Sequence, residues 1–163
     1  DMADGDISRI EELIRPCGLF RTKARNIKDA SAIVAQRYGG RIPDNMEELL
    51  ALPGVGRKIA NLLLGDVFGK PAIVCDTHCI RICGRLGMYP ETMRDATRAE
   101  TILRGLIDPA KGPDLCHRLV DFGREVCTAR SPSCAACPLS DICAHNRSAQ
   151  KNTARKIRGS TTK

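Results

Sequence analysis

Apolar residues recur every three or four positions along most of this chain, and glycine or proline interrupts them at short intervals. Ile7, Ile10 and Ile14 share one face of a predicted first helix, which Asp6 would cap and Pro16 would end. Six more helices are predicted in the same way: Thr22 to Tyr38, capped by Thr22 and ended by Gly39 and Gly40; Asp44 to Leu50, capped by Asp44; the residues after Gly56 to Val67; a helix starting at Asp76; Asp95 to Ile107; and Pro113 to Val126. The expected fold class is therefore all-α.

Composition agrees with a small helical protein. The 163 residues are 42% hydrophobic and include no Trp, so the core must be aliphatic. That length fits one domain, or one domain with a small appendage. No stretch approaches the roughly 20 apolar residues that cross a bilayer, and the acidic N-terminus does not look like a secretory signal. We expect a soluble, intracellular protein.

The net charge of +7 is concentrated at the C-terminus. From Ala144 onward the chain has no acidic residue, while the rest of the chain is close to neutral. A basic tail of this kind suits a polyanion such as nucleic acid, although a solvated, disordered end is an equal alternative. The basic residues of this segment are Arg147, Lys151, Arg155, Lys156, Arg158 and Lys163.

Four of the nine cysteines lie close together near the C-terminus. Cys127, Cys134, Cys137 and Cys143 have the spacing 6-2-5 within a loop that is poor in apolar residues. Such a loop cannot build a core of its own, so a metal is expected to replace one. Four thiolates suit a tetrahedral zinc ion or a cubane iron–sulfur cluster. The uneven spacing favours a [4Fe–4S] cluster.

A second set of cysteines has helical spacing. Cys75, Cys79 and Cys83 recur every four residues and would lie along one helix face. They could mimic a second metal site, but buried cysteine usually packs as a small hydrophobic residue, and packing is the preferred interpretation. Cys17 and Cys116 have no evident partners in the sequence.

A glycine-bounded turn joins two of the predicted helices. Gly54 and Gly56 allow the backbone around Val55 to fold tightly, and Arg57 follows directly. Amide N–H groups at the start of the next helix would favour a phosphate, although the turn could also be only an interhelical connection.

Lys58 and Asp76 are the candidate reactive residues. The positive helix end and the neighbouring Arg57 disfavour a protonated amine at Lys58, and an unprotonated lysine can form a Schiff base with a sugar carbon. A phosphate-pairing lysine is the alternative. Asp76 would cap a helix, and the same carboxylate could stabilise a cationic sugar or move a proton.

These features together resemble the endonuclease III family of helix-hairpin-helix DNA glycosylases. The resemblance rests on the run from Leu52 to Asn61, on Asp76-Thr77-His78, on the 6-2-5 cysteine loop, and on Gly18-Leu19-Phe20 upstream. It implies the helix-hairpin-helix glycosylase fold with a C-terminal [4Fe–4S] loop. The partner it implies is double-stranded DNA with damaged bases or abasic sites.

The resemblance also implies a role for each matching residue. Lys58 would attack the sugar C1′, expel the damaged base and allow β-elimination, while Asp76 would stabilise the sugar cation. Lys58 favours combined glycosylase and lyase activity on oxidised pyrimidines over an adenine-excising relative, which lacks this lysine. Leu19 would wedge into the duplex, Gly54, Val55, Gly56 and Arg57 would bind DNA, and Cys127, Cys134, Cys137 and Cys143 would hold the cluster.

The expected layout has three parts. Residues 1–112 would form a helical domain with the hairpin at 52–67, residues 113–146 a cluster domain, and residues 147–163 a disordered basic tail. Relative to the family layout, upstream helices are missing. We therefore expect a fragment, a truncated relative, or a chain whose other half is supplied elsewhere. The protein is expected to be a monomer unless another chain supplies the missing helices. A DNA-binding module without catalysis and a zinc-binding interaction protein are the rival functions.

Overall fold

The computed structural model describes residues 2–150, apart from the side chain of Pro109. Within that range the secondary structure is helical and contains no strand, so the all-α prediction is confirmed. None of the described helices is both long and apolar enough to cross a membrane. The α-helices in chain order are α1 (Ile7–Leu13), α2 (Phe20–Tyr38), α3 (Met46–Leu50), α4 (Arg57–Leu62), α5 (Thr77–Leu86), α6 (Ala96–Leu106) and α7 (Gly112–Glu125).

Shorter helical segments complete the chain. A π-helical turn, Leu63–Val67, continues α4, and 3₁₀ turns occupy Pro109–Lys111 and Cys134–Ala136. Residues 144–150 are helical, while residues 151–163 of the predicted basic tail lie outside the described residues. The chain divides into two compact units, Asp1–Lys70 and Pro71–Lys163. The predicted functional division into 1–112, 113–146 and 147–163 stays a prediction.

Local capping chemistry sets the helix starts in the first unit. The Asp6 carboxylate accepts from the Ser8 amide at 3.0 Å, as predicted for α1. For α3 the predicted cap was wrong by one residue, because Asn45 rather than Asp44 accepts the first-turn amide, that of Glu48, at 3.0 Å. The carboxylate of Asp44 instead pairs with the Lys70 ammonium at 2.6 Å.

Helix α2 begins earlier than Thr22, the residue predicted to cap it. Its N-cap is Leu19, which has left-handed backbone angles (φ 59°) and makes no side-chain capping bond. The predicted end is confirmed: Gly39 and Gly40 both have positive φ, and their amides donate to the carbonyl of Val34. Glycine terminates the helix because it adopts this conformation without a Cβ clash.

The core of the second unit is built around α5, α6 and α7. The apolar stretch from Ala72 to Cys75 is buried and leads into Asp76, the predicted cap of α5. Helix α7 begins against this stretch so closely that a Cβ on Gly112 would lie 2.2 Å from the Ala72 carbonyl oxygen. The buried residues of this core are Ile73, Val74, Cys75, Cys79, Ile82, Cys83, Tyr89, Ala99, Leu103, Cys116 and Leu119.

Candidate functional site

The glycine-bounded turn joins α3 to α4 in the first unit. The amide of Val55 donates to the Leu52 carbonyl at 3.1 Å, which closes the turn. Gly54 has φ +77°, and a Cβ there would lie 2.8 Å from the Cβ of Asn26 on α2. Both the backbone angle and the space therefore require glycine at this position.

The turn presents the start of α4 to solvent. Gly56 is an N-cap with extended backbone and no side-chain capping bond. The amide groups of a first helical turn have no acceptor within the helix, and they favour an anion. Arg57 and Lys58 follow on this turn, and both are exposed. Two cationic side chains and the first-turn amide groups therefore lie together at the start of α4.

Leu19 combines strain with exposure. Among residues 2–150 it is the one non-glycine residue with positive φ, and its side chain is 80% exposed. A left-handed conformation costs a leucine about 1–2 kcal/mol, and an exposed leucine gains little from burial. Such a residue suggests a function, because strain of this kind concentrates at binding and active sites.

Asp76 lies at the start of α5 in the second unit. Its Oδ1 accepts from the backbone N–H of Cys79 at 2.8 Å, so the predicted capping role is confirmed. The residue follows the buried stretch 72–75, and its own side chain is partly exposed. Because the cap fixes the carboxylate in direction, the side chain is held ready for a ligand on its exposed side.

The four cysteines of the 127–143 segment line one cleft. Ile82 and Leu86 of α5, Phe122 and Val126 near the end of α7, and Leu139 of the loop supply its apolar walls. The cysteine residues in this cleft are Cys127, Cys134, Cys137 and Cys143, each partly exposed.

Arg85 holds both ends of the cysteine segment, a role that was not predicted from the sequence. Its side chain is buried on α5, Nη1 donates to the Thr128 carbonyl at 2.8 Å, and Nη2 donates to the Ala129 carbonyl at 2.9 Å. Nη1 also lies 3.3 Å from Cys127 Sγ, and the Arg85 carbonyl accepts from Cys143 Sγ at 3.4 Å. Nothing local in the sequence marks Arg85, because its partners are more than 40 residues away.

Arg81, one helical turn earlier on α5, makes a second set of bonds to the same region. Its Nη2 donates to the carbonyls of Cys127 at 3.0 Å and Gly123 at 3.2 Å, and it lies 3.2 Å from His78 Nδ1. A Cβ on Gly123 would lie 2.3 Å from that His78 nitrogen. Helices α5 and α7 therefore approach closely at this glycine, and the end of α7 is fixed where the cysteine segment begins.

The chemistry of this cleft fits an iron–sulfur cluster. Arg85 and the Leu139 amide donate to the sulfurs of Cys127 and Cys137, at 3.3 and 3.4 Å, and hydrogen bonds of this kind stabilise cluster thiolates. In the part of the chain that the structure describes, no three His, Cys, Asp or Glu side chains are arranged to hold a single metal ion.

Comparisons with known proteins agree with this arrangement. Residues 1–109 match the family model described as "HhH-GPD superfamily base excision DNA repair protein", and residues 127–143 match the "Iron-sulfur binding domain of endonuclease III". The chain is 39% identical over 155 residues to endonuclease III of Thermotoga maritima, an alignment that covers 95% of this chain and 72% of the relative. The chain belongs to the endonuclease III family.

Two further comparisons also match endonuclease III proteins. The endonuclease III of Bacillus subtilis is 38% identical over 146 residues, and the alignment covers 89% of this chain and 66% of the relative. A solved structure described as "Structure of a Trapped Endonuclease III-DNA Covalent Intermediate: Estranged-Adenine Complex" matches with a TM-score of 0.85 at 37% identity, over 91% of this chain and 70% of that one. This endonuclease III family member therefore spans about two thirds to three quarters of the length of these relatives.

Family membership decides between the two metals that the sequence left open. The iron–sulfur domain match starts at Cys127 and ends at Cys143, so the cofactor of this endonuclease III family member is a [4Fe–4S] cluster rather than zinc. The predicted helix-hairpin-helix glycosylase fold is confirmed as well. The individual roles of Lys58, Asp76, Leu19 and the cysteines stay predictions.

Proposed function

We propose that this chain is a base-excision-repair DNA glycosylase with AP lyase activity on oxidised pyrimidines, and that Lys58 is its Schiff-base nucleophile. The observation that carries the proposal is the exposed Lys58 on the first turn of α4, directly behind a turn that only glycine can form at position 54. The covalent DNA intermediate trapped for an endonuclease III relative supports it.

The exposed position of Lys58 on the first turn of α4 supports this role. Attack of its amine on the sugar C1′ expels the damaged base and forms a Schiff base, from which β-elimination cuts the strand. The Arg57 cation and the first-turn amide groups of α4 suit the phosphates on either side of that sugar. One short segment can thus bind the backbone and present the nucleophile.

Asp76 is the proposed carboxylate of the reaction. Its bond to the Cys79 amide orients the carboxylate, which suits stabilisation of a developing sugar cation. Capping and catalysis are compatible here, because the first fixes the direction that the second requires.

Leu19 is the proposed wedge. A target base inside a duplex has to be flipped out to be reached, and an apolar side chain inserted between base steps helps to open the stack. The left-handed backbone that projects Leu19 from the start of α2 supports this role. Gly54, Val55, Gly56 and Arg57 are proposed to bind the DNA backbone beside it.

Cys127, Cys134, Cys137 and Cys143 are the proposed cluster ligands. The bound [4Fe–4S] cluster would tie together a loop that is poor in apolar residues. Arg85 and Arg81 keep the two ends of that loop on α5 and α7. Double-stranded DNA with a damaged base or an abasic site is the proposed partner.

Borohydride trapping tests the nucleophile. The full chain with its cluster is incubated with a duplex that contains one abasic site, and borohydride reduces any Schiff base to a covalent adduct. Lys58→Arg keeps the positive charge for phosphate contact but lacks a primary amine. Lys23→Ala, an exposed lysine on α2, is the matched control. We expect the adduct with the native chain and the control, and none with Lys58→Arg.

The same experiment separates catalysis from binding alone. An unchanged adduct yield with Lys58→Arg would show that another amine is the nucleophile. No adduct with the native chain, together with intact DNA binding, would favour the rival function of a DNA-binding module. If the adduct forms but no thymine glycol base is released from a lesion duplex, the proposed AP lyase activity stands. The proposed glycosylase activity on oxidised pyrimidines would then be wrong.

A further inference from the structure

A groove in the second unit is lined mainly by polar and charged side chains. It has a volume of about 380 Å³ and lies between α5, the segment 91–94 and Ala129. Pockets that bind small molecules have volumes of about 300–1,000 Å³, so a ligand has room here. We call it the arginine groove. The cysteine cleft is lined by a different set of residues, with Arg85 in common. The side chains that matter in the groove are Thr77, Ile80, Arg81, Arg85, Glu91 and Arg94.

The arginine groove has an excess of positive charge. The guanidinium groups of Arg81, Arg85 and Arg94 share it with one carboxylate, that of Glu91. This carboxylate is already engaged, because Oε1 lies 3.5 Å from Arg85 Nε and Oε2 lies 3.0 Å from His145 Nδ1. Two positive charges are left over. The groove therefore excludes a cation and favours a ligand with two negative charges.

Arg94 supplies the donors that are most open to such a ligand. The residue is exposed, and its Nη1 donates to the carbonyls of Glu91 and Met93, both at 2.7 Å. These two bonds fix the plane of the guanidinium. Its Nε and Nη2 make no hydrogen bond within the described part of the chain. Nε and Nη2 form one edge of the guanidinium, and an edge of this kind matches two oxygens of a phosphate.

The first half of α5 contributes a second guanidinium that is fixed in place. Arg81 Nε donates to the Cys127 carbonyl and Nη2 to the Gly123 carbonyl, both at 3.2 Å. Its Nη1 makes only a long bond of 3.4 Å, to the carbonyl of Thr77. Because the group is held before a ligand arrives, little side-chain freedom is lost on binding. Thr77 is itself exposed and brings a hydroxyl, which is a common phosphate contact.

Arg85 adds a buried charge that the protein balances incompletely. The residue is 8% exposed, and its Nε has no hydrogen-bond partner among the described residues. The Glu91 carboxylate lies 3.5 Å from this nitrogen, in an ion pair without a hydrogen bond. Because a charge in low-dielectric surroundings is screened poorly, Arg85 raises the positive potential of the groove. This buried group and the exposed Arg94 thus favour the same kind of ligand.

We propose that the arginine groove is a binding site for a phosphate group, carried by a free phosphate ester or by DNA. A phosphate supplies the negative charge that the groove lacks, and its oxygens accept from the edge of Arg94, from Arg81 and from the Thr77 hydroxyl. Ile80 is the one large apolar side chain among the described lining residues, so an apolar ligand would find few contacts. The inference does not rest on the proposed glycosylase activity, because phosphate binding involves no covalent chemistry.

Calorimetric titration with inorganic phosphate tests the proposal on the full chain with its cluster. The buffer contains no other oxyanion, and its pH lies above the second pKa of phosphate. Arg94→Gln removes the open edge of the guanidinium, while Arg98→Gln removes the same charge from an exposed residue of α6 outside the groove. Ala129→Glu places a carboxylate in the groove and leaves residues 91–94 unchanged. Ala135→Glu, at another exposed position of the cysteine segment, is its control.

We expect Arg94→Gln and Ala129→Glu each to weaken phosphate binding at least about tenfold, which corresponds to about 1.4 kcal/mol. The two control variants should change it less than about twofold. Unchanged phosphate affinity in Ala129→Glu, or in an Arg94→Gln protein that melts like the native chain, would overturn the proposal. So would a native chain that binds no phosphate at millimolar concentration. If Arg94→Gln fails to fold, Ala129→Glu still gives a decisive result.

Two additional titrations identify which phosphate the groove binds. Arg57→Gln alters the start of α4, the other place where phosphate is expected, and it should leave the phosphate binding that Arg94→Gln weakens unchanged; loss of that binding in Arg57→Gln alone would overturn the proposal. Undamaged duplex DNA is then the second probe. If the groove takes a DNA phosphate, Arg94→Gln should weaken duplex binding and lower the slope of log affinity against log salt by about one. If it takes a free phosphate ester, duplex affinity should stay unchanged while phosphate binding is still weakened.

Discussion

Replacement of Arg85 by glutamine should release the cysteine segment from α5. The substitution removes the guanidinium that donates to the carbonyls of Thr128 and Ala129, at 2.8 and 2.9 Å, and to Cys127 Sγ at 3.3 Å. Glutamine is shorter and cannot reach both carbonyls. Since Arg85 is only 8% exposed, water cannot take its place at every acceptor.

The expected loss follows from these bonds. A hydrogen bond from a charged donor contributes about 1.5–3 kcal/mol, and Ala129, which is exposed, can recover part of its loss from water. After this partial recovery, the free energy that holds the segment against α5 should fall by about 2–4 kcal/mol. At 1.4 kcal/mol per factor of ten, local opening becomes roughly 30- to 700-fold more frequent.

Cluster loss to a chelator measures this opening. The decay of absorbance near ~400 nm is followed with excess iron chelator. Arg118→Gln on α7 is the control, because Arg118 pairs with Asp114 at 2.8 Å on the surface, with side chains 76% and 66% exposed. Such a pair contributes about 0.3–0.5 kcal/mol. Equal decay rates for the two variants, within a factor of about three, would refute the role assigned to Arg85.

Two further substitution experiments follow from the backbone. Gly112→Ala should lower stability by at least about 2 kcal/mol, because its Cβ would meet the Ala72 carbonyl. Gly105→Ala in α6, where no atom lies within 4 Å of the new Cβ, should raise stability by about 0.5–1 kcal/mol; shifts of the same sign in thermal unfolding would contradict this packing. Leu19→Gly should leave the melting temperature unchanged or higher, because it relieves about 1 kcal/mol of strain, yet weaken binding to a lesion duplex about tenfold or more through loss of the apolar wedge. Unchanged affinity in a fluorescence titration would remove the wedge role.

Features that depend on a few neighbouring residues were predictable from the sequence. Asp6 and Asp76 cap helices as expected, because a cap is decided within three residues of the chain. The spacing of the four cysteines likewise predicted an iron–sulfur cluster from a short stretch of the sequence. The cap of α3 failed by one residue because a distant ammonium, that of Lys70, engages Asp44 and leaves the position to Asn45.

Features that depend on partners far along the chain could not be predicted from the sequence. The importance of Arg85 depends on carbonyls 43 and 44 residues away, and Cys116 accepts from the amide of Val74, 42 residues away. The left-handed backbone of Leu19 was equally hidden, since leucine has no preference for that conformation and Thr22 offered a conventional cap three residues later. Tertiary contacts, rather than propensity, decide these three positions.

The cleft that receives the cysteine segment has a consequence for the order of assembly. Its fixed walls, Ile82, Arg85, Leu86, Phe122 and Val126, all precede the first cysteine ligand in the chain. A growing polypeptide can therefore complete α5 and α7 before any of the four cysteines leaves the ribosome. The cluster would then be inserted against walls that are already folded, and the 127–143 segment would close over it.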